Sequence, residues 1–160
     1  MVWIAASAIG MIFARTLLKR ERAIEALIWL FEKAELEISH YSLSLASLVK
    51  EAAKESSARL LPFILLCAKK TENGTDFPKA WKESVEKAPP PLSKKEREEL
   101  SNFGFLLSSC DKEGALKMLD FYKKSFDFSL SDARAARKKY SKPCIFSGFF
   151  VGGIIFITLI

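Results

Sequence analysis

Histidine is almost absent from this chain: His40 is the only one in 160 residues. A histidine-based catalytic triad or a histidine metal site needs more than that. The three cysteines, Cys67, Cys110 and Cys144, are far apart and form no C-x-x-C pair. That spacing suits a reducing compartment and speaks against a disulfide framework. No glycine-rich phosphate loop and no G-x-S-x-G elbow occurs. Ser108, Ser109 and Cys110 are nucleophiles by residue type alone. Glu35 and Glu37 lie two apart on a helical stretch, so they point to different faces and do not share a proton. There is no zinc pattern and no basic helix interleaved with aromatics, so no nucleic-acid partner is expected. Alternating β-branched segments, internal repeats and low-complexity tracts are all missing. "PPP" at Pro89 to Pro91 reads as a rigid connector. The expectation is a protein that is not an enzyme and holds no cofactor or metal.

Charge is also missing from both ends. After Pro143 the sequence "CIFSGFFVGGIIFITLI" carries none. About 17 apolar or small residues is the lower limit for a membrane-crossing helix. Lys138, Lys139 and Lys142 stand just before it, as basic anchors do at a bilayer surface. The competing reading is a buried C-terminal helix of a soluble bundle, which would need a polar face that this stretch lacks. At the other end "MVWIAASAIGMIFA" is apolar, and Arg15, Lys19, Arg20 and Arg22 follow it. A signal peptide carries its charge before the apolar core, not after. An uncleaved anchor to Leu18 is expected, with Arg15 reaching back to the headgroups. An interfacial helix or an imperfect signal are the alternatives. Both basic clusters face the middle of the chain, which the positive-inside rule puts in the cytoplasm. The expected layout is a transmembrane helix at 1–18, a cytoplasmic helical domain at 19–142 and a transmembrane helix at 143–160. The net charge of +6 gathers partly at the two junctions, where anionic lipid would attract it.

The middle reads as an all-α bundle. Ile24, Leu27, Phe31, Ala34 and Ile38 recur at helical spacing and form one stripe. "SHYS" is a break, and a second helix runs from about Leu43 to Ser56. A third opens near "SARLLPF", with Pro62 in its first turn, and stops at Asn73-Gly74. A short helix, "FPKAWKESVEKA", ends at "APPPL". Ser93 and Glu96 have capping-box spacing at the start of the next. The last long helix is expected from about Lys112 to Lys142, with Leu116, Leu119, Tyr122, Phe126, Leu130 and Ala133 on its inner face. Asp111 is placed to cap it. Gly104, costly in a helix interior, implies that a ring or a backbone packs against it. Ala6, Gly10 and Ala14 recur every four residues in the first apolar segment. Gly148 and Gly152 do so in the last. Such stripes let helices pack against each other, or against copies of themselves, in lipid.

The stretches "FEKAELEISHYSLSLASL", "AWKESV", "FGFLLSSCDKEGALKML" and "KKYSKPCIFSGFFVGGIIFITLI", in that order, resemble stage III sporulation protein AB of endospore-forming bacteria. The resemblance covers essentially the whole chain. Glu37 and Ile38 match the family's E-I pair, and Trp81 its tryptophan. Phe103, Gly104, Leu107 and Asp111 match its F-G motif, while Ser108 stands where a second Gly is usual. The resemblance implies a non-enzymatic membrane component made by the mother cell at the membrane facing the forespore, part of a secretion-like channel. The family is similar to the platform protein of type II secretion and type IV pilus systems. Expected partners are the membrane, other stage III sporulation proteins, above all the protein AA ATPase, and further copies of the chain. The alternative reading is a membrane-tethered adaptor or pilus-type platform outside sporulation.

Overall fold

The computed structural model describes the backbone of residues 2–41 and 44–158, and the side chains of residues 12–40 and 44–139. These hold six α-helices and no strand. In chain order they are α1 (Val2–Tyr41), α2 (Leu45–Lys54), α3 (Pro62–Glu72), α4 (Phe77–Lys87), α5 (Lys94–Ser108) and α6 (Lys112–Thr158). A 3-10 helix, Ser56–Leu60, links α2 to α3.

The long helices α1 and α6 form an antiparallel pair. Lys112 Nζ donates to the Ser39 carbonyl at 2.8 Å, Lys123 pairs with Glu35 at 2.7 Å, and Arg134 with Glu25 at 2.8 Å. As numbering rises on one helix it falls on the other. The α1 stripe from Ile24 to Ile38 is buried, as are Leu119, Tyr122, Phe126, Leu130 and Ala133 of α6. Leu116 lies at the edge of this core. The other helices form an arc in which α2 packs on α3, α3 on α4 and α4 on α5. Burial of these apolar stripes, rather than intrinsic propensity, holds the short helices in place.

Local signals set the boundaries. The Ser44 hydroxyl accepts from the Ser47 N–H at the start of α2. Pro62 occupies the first turn of α3, where its missing N–H leaves no helical bond unmade. Gly74, at φ +83°, supplies the left-handed residue after α3 ends. α5 begins with the full capping box of Ser93 and Glu96.

The structure departs from expectation in three places. The span from Ser56 to Leu60 is a 3-10 turn, not the start of α3. Leu61, non-helical at φ −124° and ψ 73° ahead of a proline, separates the two. The last helix does not stop near Lys142 but runs as one element to Thr158. Pro143 removes one N–H and crowds one carbonyl, a local cost that apolar helices tolerate. Arg20, counted with the basic charge that anionic lipid would attract at the junction, is instead paired with Glu96.

Among the described residues no helix is long and apolar enough to cross a membrane. The segment 143–160 expected to span, and 1–11 of the segment 1–18, lie outside the described side chains. Ala6, Gly10, Gly148 and Gly152 fall there. Ala14 is described and half-buried.

Candidate functional site

The centre of the molecule is an aromatic hub built from helices far apart in sequence. Trp81 of α4 is buried, and its indole N–H donates to the Leu100 carbonyl of α5 at 2.7 Å. That bond satisfies the one polar atom of the ring, which burial would otherwise penalise. Phe63 of α3 meets the ring edge-on at 5.1 Å, and Phe103 of α5 lies 5.6 Å away. Phe103 in turn contacts Phe31 of α1 at 4.9 Å and Tyr122 of α6 at 5.0 Å. One chain of rings therefore ties the arc of short helices to the long pair.

Gly104 lies under Trp81. A β-carbon at this position would sit 2.5 Å from the indole Cγ and Cδ1. The hub thus brings three of the motif residues, Trp81, Phe103 and Gly104, into direct contact. Leu107 and Ile38 belong to the same core. Glu37 and Asp111 do not join the hub. Lys112 beside Asp111 reaches Ser39 next to Ile38, so both acidic residues lie at one end of the bundle, away from the chain termini. Asp111 is exposed, and its Oδ1 accepts from the Gly114 N–H at 3.0 Å, which is N-cap geometry.

A second cluster, of charges, lies where the described core gives way to the outer parts of α1 and α6. Glu96 Oε1 accepts from Arg20 Nη2 at 2.7 Å, while its Oε2 accepts from the Ser93 backbone N–H at 2.7 Å. One carboxylate therefore closes the capping box and holds α1 to α5. Burial alone pushes its pKa up, but the hydrogen bonds from Arg20 and Ser93 outweigh this and hold it below the usual carboxylate value. Glu21, also buried, faces two cations of α6. Arg137 Nε is 3.1 Å from its Oε2, out of hydrogen-bonding alignment, and Arg134 Nε is 3.6 Å from its Oε1. Arg134 also pairs with Glu25. Adjacent residues of α1, a cation and an anion, thus bind different helices.

Sequence reasoning did not single out these acids. The signal was present: Glu21 is the first acid of the chain and stands among Arg20 and Arg22 in a helix otherwise basic to that point. Nor did it single out Phe121 and Phe128, which are 66% and 70% exposed. They are seven residues apart on the face that carries Lys117 and Lys124, so their spacing announced an apolar line on the polar side. They line a groove of about 530 Å³ with Arg20, Ser93, Glu96 and Lys124.

Of the residues with nucleophilic potential, the two serines are otherwise engaged and Cys110 is partly buried against the core. Ser108 and Ser109 both donate to the Phe105 carbonyl. Cys67 is buried, and burial pushes its thiol up to about 12, which keeps it protonated and inert. Glu35 is paired with Lys123. Among the described residues no group of three or more His, Cys, Asp or Glu could hold a metal ion.

Comparison with known proteins bears on this arrangement. The family model for stage III sporulation protein AB matches residues 1–160. A solved structure, "Stage III sporulation protein AB (SpoIIIAB)", matches with a TM-score of 0.67 at 24% identity, covering 76% of this chain and 98% of that one. That likeness is one of fold. No curated protein sequence matches. With the family model matched across residues 1–160, the chain belongs to the stage III sporulation protein AB family.

Proposed function

We propose that this chain is a non-enzymatic platform subunit of the channel apparatus between mother cell and forespore, required for endospore formation. It sits in the mother-cell membrane facing the forespore and has its helical domain, residues 19–142, in the cytoplasm. Its neighbours are other stage III sporulation proteins, the protein AA ATPase first among them. The observation that carries the reading, beside family membership, is the antiparallel pairing of α1 with α6. It sends both apolar ends of the chain out on one side of the bundle, the geometry needed by a domain hung from one membrane by two helices. The aromatic hub makes the rest a stiff body on which partners can assemble.

In this reading 1–18 and 143–160 are the two membrane helices. Their small residues, Ala6 and Gly10 on one and Gly148 and Gly152 on the other, are the proposed contact between them. Ala14, nearer the core, continues the stripe. Close approach through such positions replaces the hydrophobic drive that lipid does not supply.

The test is a deletion strain complemented by the intact gene. Heat-resistant spores should fall by orders of magnitude in the deletion and return on complementation. Normal spore counts in the deletion would contradict the proposal.

A further inference from the structure

The cations at the junction divide into two populations. Arg20, which is half-buried, and Arg134 and Arg137, which are exposed, are matched by Glu96, Glu25 and Glu21. Arg15, Lys19 and Arg22 are exposed and make no ion pair among the described residues. They are four and then three residues apart, so they form a single stripe on α1. Lys138 of α6 is likewise exposed. The α1–α6 register puts it level with Arg20.

No ion pair among the described residues neutralises these groups, although Arg22 lines one groove with Glu25. No acid precedes Glu21 in the chain, and none follows Asp132. Of the acids at this level, Glu21, Glu25 and Glu96 are already matched to arginines, and Asp132 lies on the groove that Arg20 lines. The pattern differs from the distal surface, where Lys117 pairs with Glu113, and Lys124 with Asp120, one helical turn away.

We propose that Arg15, Lys19, Arg22 and Lys138 form an uncompensated cationic collar that binds the headgroups of anionic phospholipids. The inference rests on the membrane-anchored reading above and names the ligand of its junction. Phospholipid headgroups are the occupant because the collar borders the two uncharged segments and its cations form no ion pair among the described residues. Cations at a bilayer surface gain from anionic lipid within about one Debye length. The paired arginines keep α1 against α5 and α6 while the unpaired cations meet the lipid. Neither population can do the other's work.

The test reconstitutes the full chain in vesicles of equal phosphatidylcholine and phosphatidylglycerol. The protein is then excised with its surrounding lipid, and that lipid is quantified by mass spectrometry. The unaltered chain should be enriched in phosphatidylglycerol. The triple variant R15Q/K19Q/R22Q should lose that preference, by about fivefold for each cation removed. A second triple, K69Q/K79Q/K82Q, removes the same charge from exposed positions on α3 and α4 and should keep it. Equal losses in the two triples would assign the effect to net charge and overturn the collar. So would the absence of enrichment in a chain that resists carbonate extraction. Release of the chain by carbonate would instead overturn the membrane reading, and the collar with it.

Discussion

The indole of Trp81 rests directly on the backbone of Gly104, with no room for a methyl group between α4 and α5. The absence of a side chain at Gly104 is what lets Trp81 both pack and reach the Leu100 carbonyl. Gly104→Ala should therefore destabilise the fold by about 1–3 kcal/mol through overpacking, although alanine is the better helix former. Trp81→Ala, which empties the hub, should cost about 3–5 kcal/mol. Chemical denaturation followed by circular dichroism measures both. A neutral or stabilising Gly104→Ala would refute the close contact.

Asp111 caps α6 through the Gly114 N–H. Asp111→Ala should cost about 1 kcal/mol, while Asp111→Asn and Asp111→Ser should be nearly silent. Thermal melts of the three variants decide the matter. Spore loss in all three with unchanged melting would make Asp111 a partner contact instead.

The Arg20–Glu96 bridge predicts a pH dependence. The folded Glu96 carboxyl is held below its ordinary value, so its stabilising contribution is present above the unfolded-state value, about pH 4.3, and is lost as pH falls through the folded value. Glu96→Gln should cost about 2 kcal/mol at neutral pH. The difference between the variant and the unaltered chain should shrink on acidification. Urea unfolding across this range gives both curves, and a constant gap would contradict the assignment.

If the terminal segments pack through their small residues, Gly152→Leu should weaken their association in a membrane two-hybrid assay, while Phe150→Leu should not. Equal signals would leave only hydrophobic anchors.

Much of this fold was legible because its signals are local. The Ser93–Glu96 box, Asn73-Gly74 and Pro62 each act within a turn of the chain, and the 3.6-residue stripe of α1 repeats often enough to be unambiguous. Gly104 announced a close neighbour but not which one, because Trp81 arrives from another helix 23 positions earlier. The pairing of Arg20 with Glu96 and of Glu21 with Arg137 could not be read for the same reason. Side chains on one helix turn declare their face, but partners across a bundle depend on the packing of all the elements between. Counting Arg20 with its basic neighbours left its partner Glu96 unseen for that reason.

The proposed cytoplasmic position of the helical domain, hung from one membrane by both ends, is best tested at Gly74, in the turn between α3 and α4. A fluorescent protein that matures only in the cytoplasm and a phosphatase active only outside are each inserted there, in parallel, in the full chain. Bright fluorescence with a silent phosphatase is the predicted result. An active phosphatase with no fluorescence would put the domain on the other side of the membrane and contradict the account.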